Sequence, residues 1–141
     1  MKRHPALASL SREHHHELSL ARGLRRAATA DAEQRLAFGS IYVEQFFGQT
    51  TDHFRREEEV VFPVYERHAG PTPLVAQILR EHMELQGLAR ALRAQVAASD
   101  VTPETLESLG SLLRDHVRRE ERVLFEDIQR VVPDDELRAL A

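Results

Sequence analysis

Cysteine is absent from the 141 residues, which excludes disulfides and thiolate metal sites and leaves the redox compartment open. Absent too is any apolar run near the roughly 20 residues that a membrane span needs. Neither sign of charge dominates, since 19 basic residues are spread among 23 acidic ones for a net charge of −4. A nucleic acid or an anionic membrane is therefore not the expected partner. Behind Met1-Lys2-Arg3-His4-Pro5 lies no long apolar segment, so no secretory leader is expected and the cytoplasm is the expected compartment. No period-two alternation persists over a useful length, which argues against strands. Catalytic triads, phosphate loops and dinucleotide fingerprints are missing as well. What is abundant is histidine, eight in a chain sized for one domain over residues 1–141.

Apolar residues recur at spacings of three and four, the seam of bundle helices. Leu7, Leu10, His14, Ala21, Leu24 and Ala28 mark a first helix, with Ser9 or Ser11 as its cap. Asp31 reads as the N-cap of a second helix, with Gln34 at the capping-box position. Its stripe is Tyr42, Phe46, Gln49, His53, Glu57, Val60 and Val64, and Pro63 should kink it or bring it near its end. Gly70-Pro71-Thr72-Pro73 is the clearest break. A third helix runs from about Pro73 to about Ala98 with Val75, Ile78, His82, Leu85, Ala89, Leu92 and Val96 on its seam. Thr102-Pro103 opens a fourth, lined by Leu109, Leu112, His116, Glu120 and Val123. Val132-Pro133 ends it, leaving a short terminal helix or a frayed end over 136–141. The pattern predicts an all-α, up-down-up-down four-helix bundle.

The bundle is one helical hairpin written twice. Asp52-His53-Phe54-Arg55-Arg56-Glu57-Glu58 returns as Asp115-His116-Val117-Arg118-Arg119-Glu120-Glu121, and Arg12-Glu13-His14 returns as Arg80-Glu81-His82. Each copy of His-x-x-x-Glu stacks an imidazole and a carboxylate one turn apart on one helix face. His14, His53, Glu57, His82, His116 and Glu120 all fall on seams otherwise held by Leu, Val, Ala and Phe. Burying them costs several kcal/mol without a compensating cation. Two cations bridged by the glutamates would compensate, and imidazole with carboxylate suits iron, manganese or zinc. The repeat favours His14 over His15 and Glu120 over Glu121. His16 points away, Glu58 and Glu121 are surface charges or support the ligands, and Gln49 is placed to hydrogen-bond an imidazole. Tyr42 and Tyr65 read as core, and His4 and His68 as solvated residues at helix ends.

On these residues the chain resembles the hemerythrin-like, or HHE cation-binding, domain over nearly its whole length. The resemblance implies a four-helix bundle around a non-haem diiron centre, oxo- or hydroxo-bridged, that meets oxygen, nitric oxide or peroxide. Oxygen carriers of that family place His-x-x-x-His on the third helix. Here the residues four before and four after His82 are Ile78 and Gln86, so one imidazole is missing. The departure points away from simple oxygen carriage and towards a reactive or sensing centre. Iron sensing or buffering, or a zinc-stapled bundle without redox chemistry, is the alternative reading. Oligomeric state is left open.

Overall fold

A computed structural model describes residues 2–140, and among them there are helices and no strand. Helix α1 spans Pro5–Ala28. Helix α2 runs without a break over 32–69, α3 over Pro73–Ala97, and α4 over 103–131. A short α5, Asp134–Arg138, follows. None is long and apolar enough to cross a membrane. The result is an all-α bundle of four long helices with one short appendage.

Local chemistry sets the helix ends. Asp31 accepts the Gln34 N–H at 2.8 Å, Thr72 accepts that of Val75 at 3.1 Å, and Thr102 accepts that of Thr105 at 3.3 Å. Helix α1 starts earlier than Ser9 or Ser11. His4 is its cap, with Nδ1 accepting the Ala6 N–H at 3.0 Å and Pro5 in the first turn. The other ring nitrogen lies 2.8 Å from Asp134, and His68 lies 2.6 Å from Glu136, so these two histidines fasten α5 to the bundle instead of standing in solvent. Gly70, at φ 75°, lets the chain leave α2 while its N–H donates to the Glu66 carbonyl.

Three turns carry i→i+5 hydrogen bonds: Phe46–Thr50, Glu57–Val61 and Glu120–Leu124. Their effect is visible in the buried stripe of α4, which reads His116, Glu120, Leu124, Ile128. Those three steps of four residues would drift by about 120° on an ideal helix, and one extra residue in a turn removes about 100° of that. The bulges correct the heptad expectation. Thr50 is buried where Gln49 was expected, and Gln49 instead accepts from Gln45 at 3.0 Å. Val61 and Leu124 are inside, whereas Val60 and Val123 stand 43% and 50% exposed. Two seam positions outside the bulges also differ by one residue, Ala27 and Leu113 being buried in place of Ala28 and Leu112. Pro63 is tolerated in the first turn after a bulge, where the hydrogen-bond register changes, and α2 ends soon after it, at Ala69.

The apolar core is in two parts. One holds Leu24, Tyr42, Phe46, Leu92, Leu106 and Leu109. The other holds Leu7, Phe62, Ile78, Leu124, Phe125 and Leu137. Between them lies a polar layer. Helices α1 and α4 meet closely beside it: a Cβ on Gly110 would come within 2.9 Å of the Ala21 carbonyl oxygen and 3.2 Å of the Arg25 nitrogen. Backbone cannot yield as a side chain can. Gly110→Ala is expected to lose about 1–3 kcal/mol in denaturant unfolding. Gly48→Ala, with nothing within 4 Å, should be neutral or stabilising by up to about 1 kcal/mol.

Candidate metal centre

Each long helix delivers one histidine to the polar layer, and α2 and α4 add one glutamate each. His14, His53, His82 and His116 are 1–2% exposed, and Glu57 and Glu120 are fully buried. The structure brings all six expected residues together. His15 and His16 point out to solvent, as do Asp52 and Asp115.

Every imidazole is oriented from behind by a carboxylate. His14 Nδ1 lies 2.7 Å from Glu121, His53 Nδ1 3.1 Å from Glu13, His82 Nδ1 2.7 Å from Glu58 and His116 Nδ1 2.9 Å from Glu81. Arg56 and Arg119 anchor Glu13 and Glu81 in turn, at 2.6 and 3.0 Å. The arrangement repeats with the hairpin, Glu13 with Glu81 and Glu58 with Glu121. A carboxylate at Nδ1 places the ring hydrogen there and turns the Nε2 lone pair inward. This assigns Glu121 to His14 from behind and leaves Glu120 among the inward groups. The supporting role of Glu13 and Glu81 was overlooked in the sequence, although both repeat within Arg-Glu-His. They reach across to histidines of other helices, which no spacing along one helix reveals.

The inward atoms divide into two sets. His14 and His53 Nε2 lie 3.2 and 3.4 Å from Glu120 Oε2 and Glu57 Oε2 respectively. His82 Nε2 lies 3.3 Å from Glu57 Oε1 and 3.4 Å from Glu120 Oε1, and His116 Nε2 lies 2.8 Å from Glu120 Oε1. Within each set, two histidines and both glutamates place ligand atoms no more than 4.8 Å apart, as the donors of one ion would be. Both glutamates belong to both sets.

Hydrogen bonding alone leaves this layer unsatisfied. Both Glu57 oxygens, Glu120 Oε2 and His116 Nε2 have no hydrogen-bond partner. The 2.8 Å approach of His116 to Glu120 lacks hydrogen-bond alignment, and is a contact of the kind two ligands of one ion make. His14 and His53 Nε2 face each other at 3.0 Å, a pairing that needs a proton or a cation between the two nitrogens. A cation there would take the proton's place and turn the contact into coordination. The residues fit a metal pair.

Protons respond to the same crowding. Burial, then the adjacent Glu120, pushes the Glu57 carboxyl well up. Burial disfavours charge on His14 and His116, but Glu120 with Glu121, and Glu120 with Glu81, outweigh it and raise them to about 10 and about 9. Burial and the His14 charge lower His53 to about 4. Glu17 had no expected role. It is 4% exposed one turn after His14, accepts from Thr50 Oγ1 at 2.9 Å, and has its pKa raised by burial. The clue was the gap in the α1 seam between His14 and Ala21, which position 17 fills.

A family model described as the hemerythrin HHE cation binding domain matches residues 5–128. No curated protein and no solved structure matches.

Two outcomes follow. Glu120→Gln is expected to take metal content below two per chain, whereas Glu121→Gln should keep two and weaken binding about 10–100-fold in chelator competition. The reverse result would exchange their roles. Metal-free protein should lose stability as pH rises from 7 to 10. Folded His14 and His116 hold protons up to about 10 and 9 that the unfolded chain releases near 6.5, so their contribution is complete below 6.5 and lost above. Thermal melts across that range test the sign. Metal competes with those protons, so the loaded protein should not show the same loss.

Proposed function

The chain belongs to the hemerythrin HHE cation-binding family, and from that premise we propose that it is a non-haem diiron protein whose centre binds or reacts with a small ligand such as oxygen, nitric oxide or peroxide. The supporting observation is the division of the two buried carboxylates, each offering one oxygen to the His14–His53 pair and the other to the His82–His116 pair. That is a dinuclear donor set, with His14, His53, Glu57, His82, His116 and Glu120 as the ligands. Iron, which suits such nitrogen and oxygen donors, would supply redox and ligand-exchange chemistry when bound.

Counting donors supports exchange. Four protein atoms per ion are fewer than the six of an octahedral centre, so water, a bridge or an incoming molecule completes the sphere. The two halves contribute equally: two imidazoles each, with the third-helix position four before His82 filled by buried Ile78. The carrier's extra imidazole has no counterpart, and neither half is closed by an additional histidine. The protein's own contribution is positioning. Glu13, Glu58, Glu81 and Glu121 hold the four rings, and the apolar halves of the core exclude bulk water.

The same donors would serve iron sensing or buffering, or a zinc staple. The unpartnered buried carboxylate oxygens favour that reading in one respect, since the bundle should loosen when metal leaves. Anaerobic loading with ferrous iron followed by air separates the readings. Two irons per chain and near-ultraviolet charge-transfer absorption are expected. A colourless protein holding a single zinc would sink the diiron proposal. Chelation that lowers the melting temperature with no response to oxygen would establish the sensing alternative.

A further inference from the structure

The ligands obey the internal repeat, but the layer next to them does not. Glu17 lies three residues after His14, and the equivalent residue after His82 is Leu85. Thr50 lies three residues before His53, and its equivalent before His116 is Leu113. All four are buried. The layer is thus an apolar pair on one side of the pseudo-two-fold axis and a hydrogen-bonded acid and hydroxyl on the other, joined at 2.9 Å. The carboxyl is near enough to His14, His116 and Glu120 for their charges to act on it. It nevertheless stands outside both donor sets. Leucine in the other half shows that this layer packs well without polarity. A buried acid there costs stability that packing does not require.

Access is asymmetric in the same sense. A cleft of about 350 Å³ between α1 and α2 reaches Glu17 and His53, with Arg12, His16 and Arg56 on its walls. The equivalent cleft, lined by Arg80, Glu81, Glu84 and Leu112, is about 500 Å³ but does not reach His116 or Leu85. Solvent therefore approaches the metal layer where the acid is, past Arg12 and the Arg56–Glu13 ion pair.

We propose that Glu17, held by Thr50, is the group that meets an exogenous ligand of the centre, and that this ligand is a small hydrogen-bond acceptor admitted through the α1–α2 cleft. The assignment rests on the diiron reading and narrows its ligand class. Thr50 Oγ1 donates to one carboxyl oxygen, so the acid's own O–H is directed to what arrives. Burial pushes the carboxyl's pKa up, in the direction that favours the proton. No bond is made or broken in this step. The ligand gains a donor that bulk water would otherwise provide.

Azide is the probe, titrated into iron-loaded protein and followed by absorption. Glu17→Leu, which installs the residue of the other half, should weaken azide binding about tenfold or more, as loss of a buried hydrogen bond to an anion implies. Glu17→Gln keeps a donor and should bind azide nearly as the parent does. Both should hold two irons per chain, and metal-free Glu17→Leu should melt at or above the parent. Thr50→Val, which frees the carboxyl from its anchor, should lie between parent and Glu17→Leu in azide affinity. Unchanged affinity in Glu17→Leu overturns the proposal, as does an iron content of one, which would make Glu17 a ligand. Weaker azide binding together with a lower metal-free melting temperature would return Glu17 to a structural role. A parent that takes up two irons but binds no azide removes this inference and leaves the diiron reading standing. A parent that takes up no iron pair removes both.

Discussion

Four imidazole nitrogens and the oxygens of two carboxylates point at one another in a space without solvent, and everything around them is arranged to hold them there. Such an arrangement is unsatisfied without protons or cations: two Nε2 atoms meet at 3.0 Å, and Glu57 has neither oxygen hydrogen-bonded. Leaving buried charge uncompensated costs several kcal/mol per group, comparable with the whole net stability of a domain this size. The outer carboxylates stop the rings from turning away to find other partners. The bundle thereby trades folding stability for a site organised before its ions arrive. In the metal-free protein, protons partly take the ions' place on His14, His116 and Glu57.

Helix geometry is bent to the same end. An ideal helix cannot keep a histidine, a glutamate and two further core residues in line at successive steps of four. In both α2 and α4 the wide turn begins at the glutamate itself, Glu57 and Glu120. The bulge returns the stripe to the core immediately after the carboxylate, so that Val61 and Leu124 can seal the layer from below. It also pushes Val60 and Val123 outward. The distortion is written twice because the hairpin is. Phe62 and Phe125, which follow the two bulges, lie against the equivalent histidines His82 and His14: Phe62 is 6.0 Å from the His82 ring and Phe125 5.2 Å from that of His14.

The repeat made the inward residues legible, because a ligand on a bundle seam breaks an apolar pattern at a predictable phase. His14, His53, His82, His116, Glu57 and Glu120 could all be placed that way. The bulges could not, since a switch to i→i+5 bonding is decided by packing and by the centre, and nothing in a local run of residues signals it. That is why Gln49, Val60 and Val123 were expected inside. The outer carboxylates were half legible: Glu13, Glu58, Glu81 and Glu121 each sit next to a ligand in sequence, but each serves a histidine of another helix. Glu17 was missed for the opposite reason. A glutamate reads as surface unless the empty seam position it fills is noticed.

A duplicated hairpin tends to make two equal ion positions, and equal ligands cannot by themselves tell one ion from the other. Any difference has to come from residues that the duplication no longer matches. Phe54 stacks on His82 with ring centres 3.9 Å apart and planes at 9°, while the equivalent residue on α4 is Val117. Glu13 is 41% exposed behind His53, whereas Glu81 is 8% exposed behind His116. Glu17 and Thr50 oppose Leu85 and Leu113. All three departures run the same way. The His82–His116 side has more stacking and apolar packing, and the His14–His53 side is more polar and nearer a cleft, although Glu58 behind His82 is more exposed than Glu121 behind His14. Ligand exchange needs water and a donor at the exchanging ion, and redox stability needs a rigid, dry partner. Under the diiron reading, divergence confined to the surrounding side chains would supply that division of labour without altering a single proposed ligand.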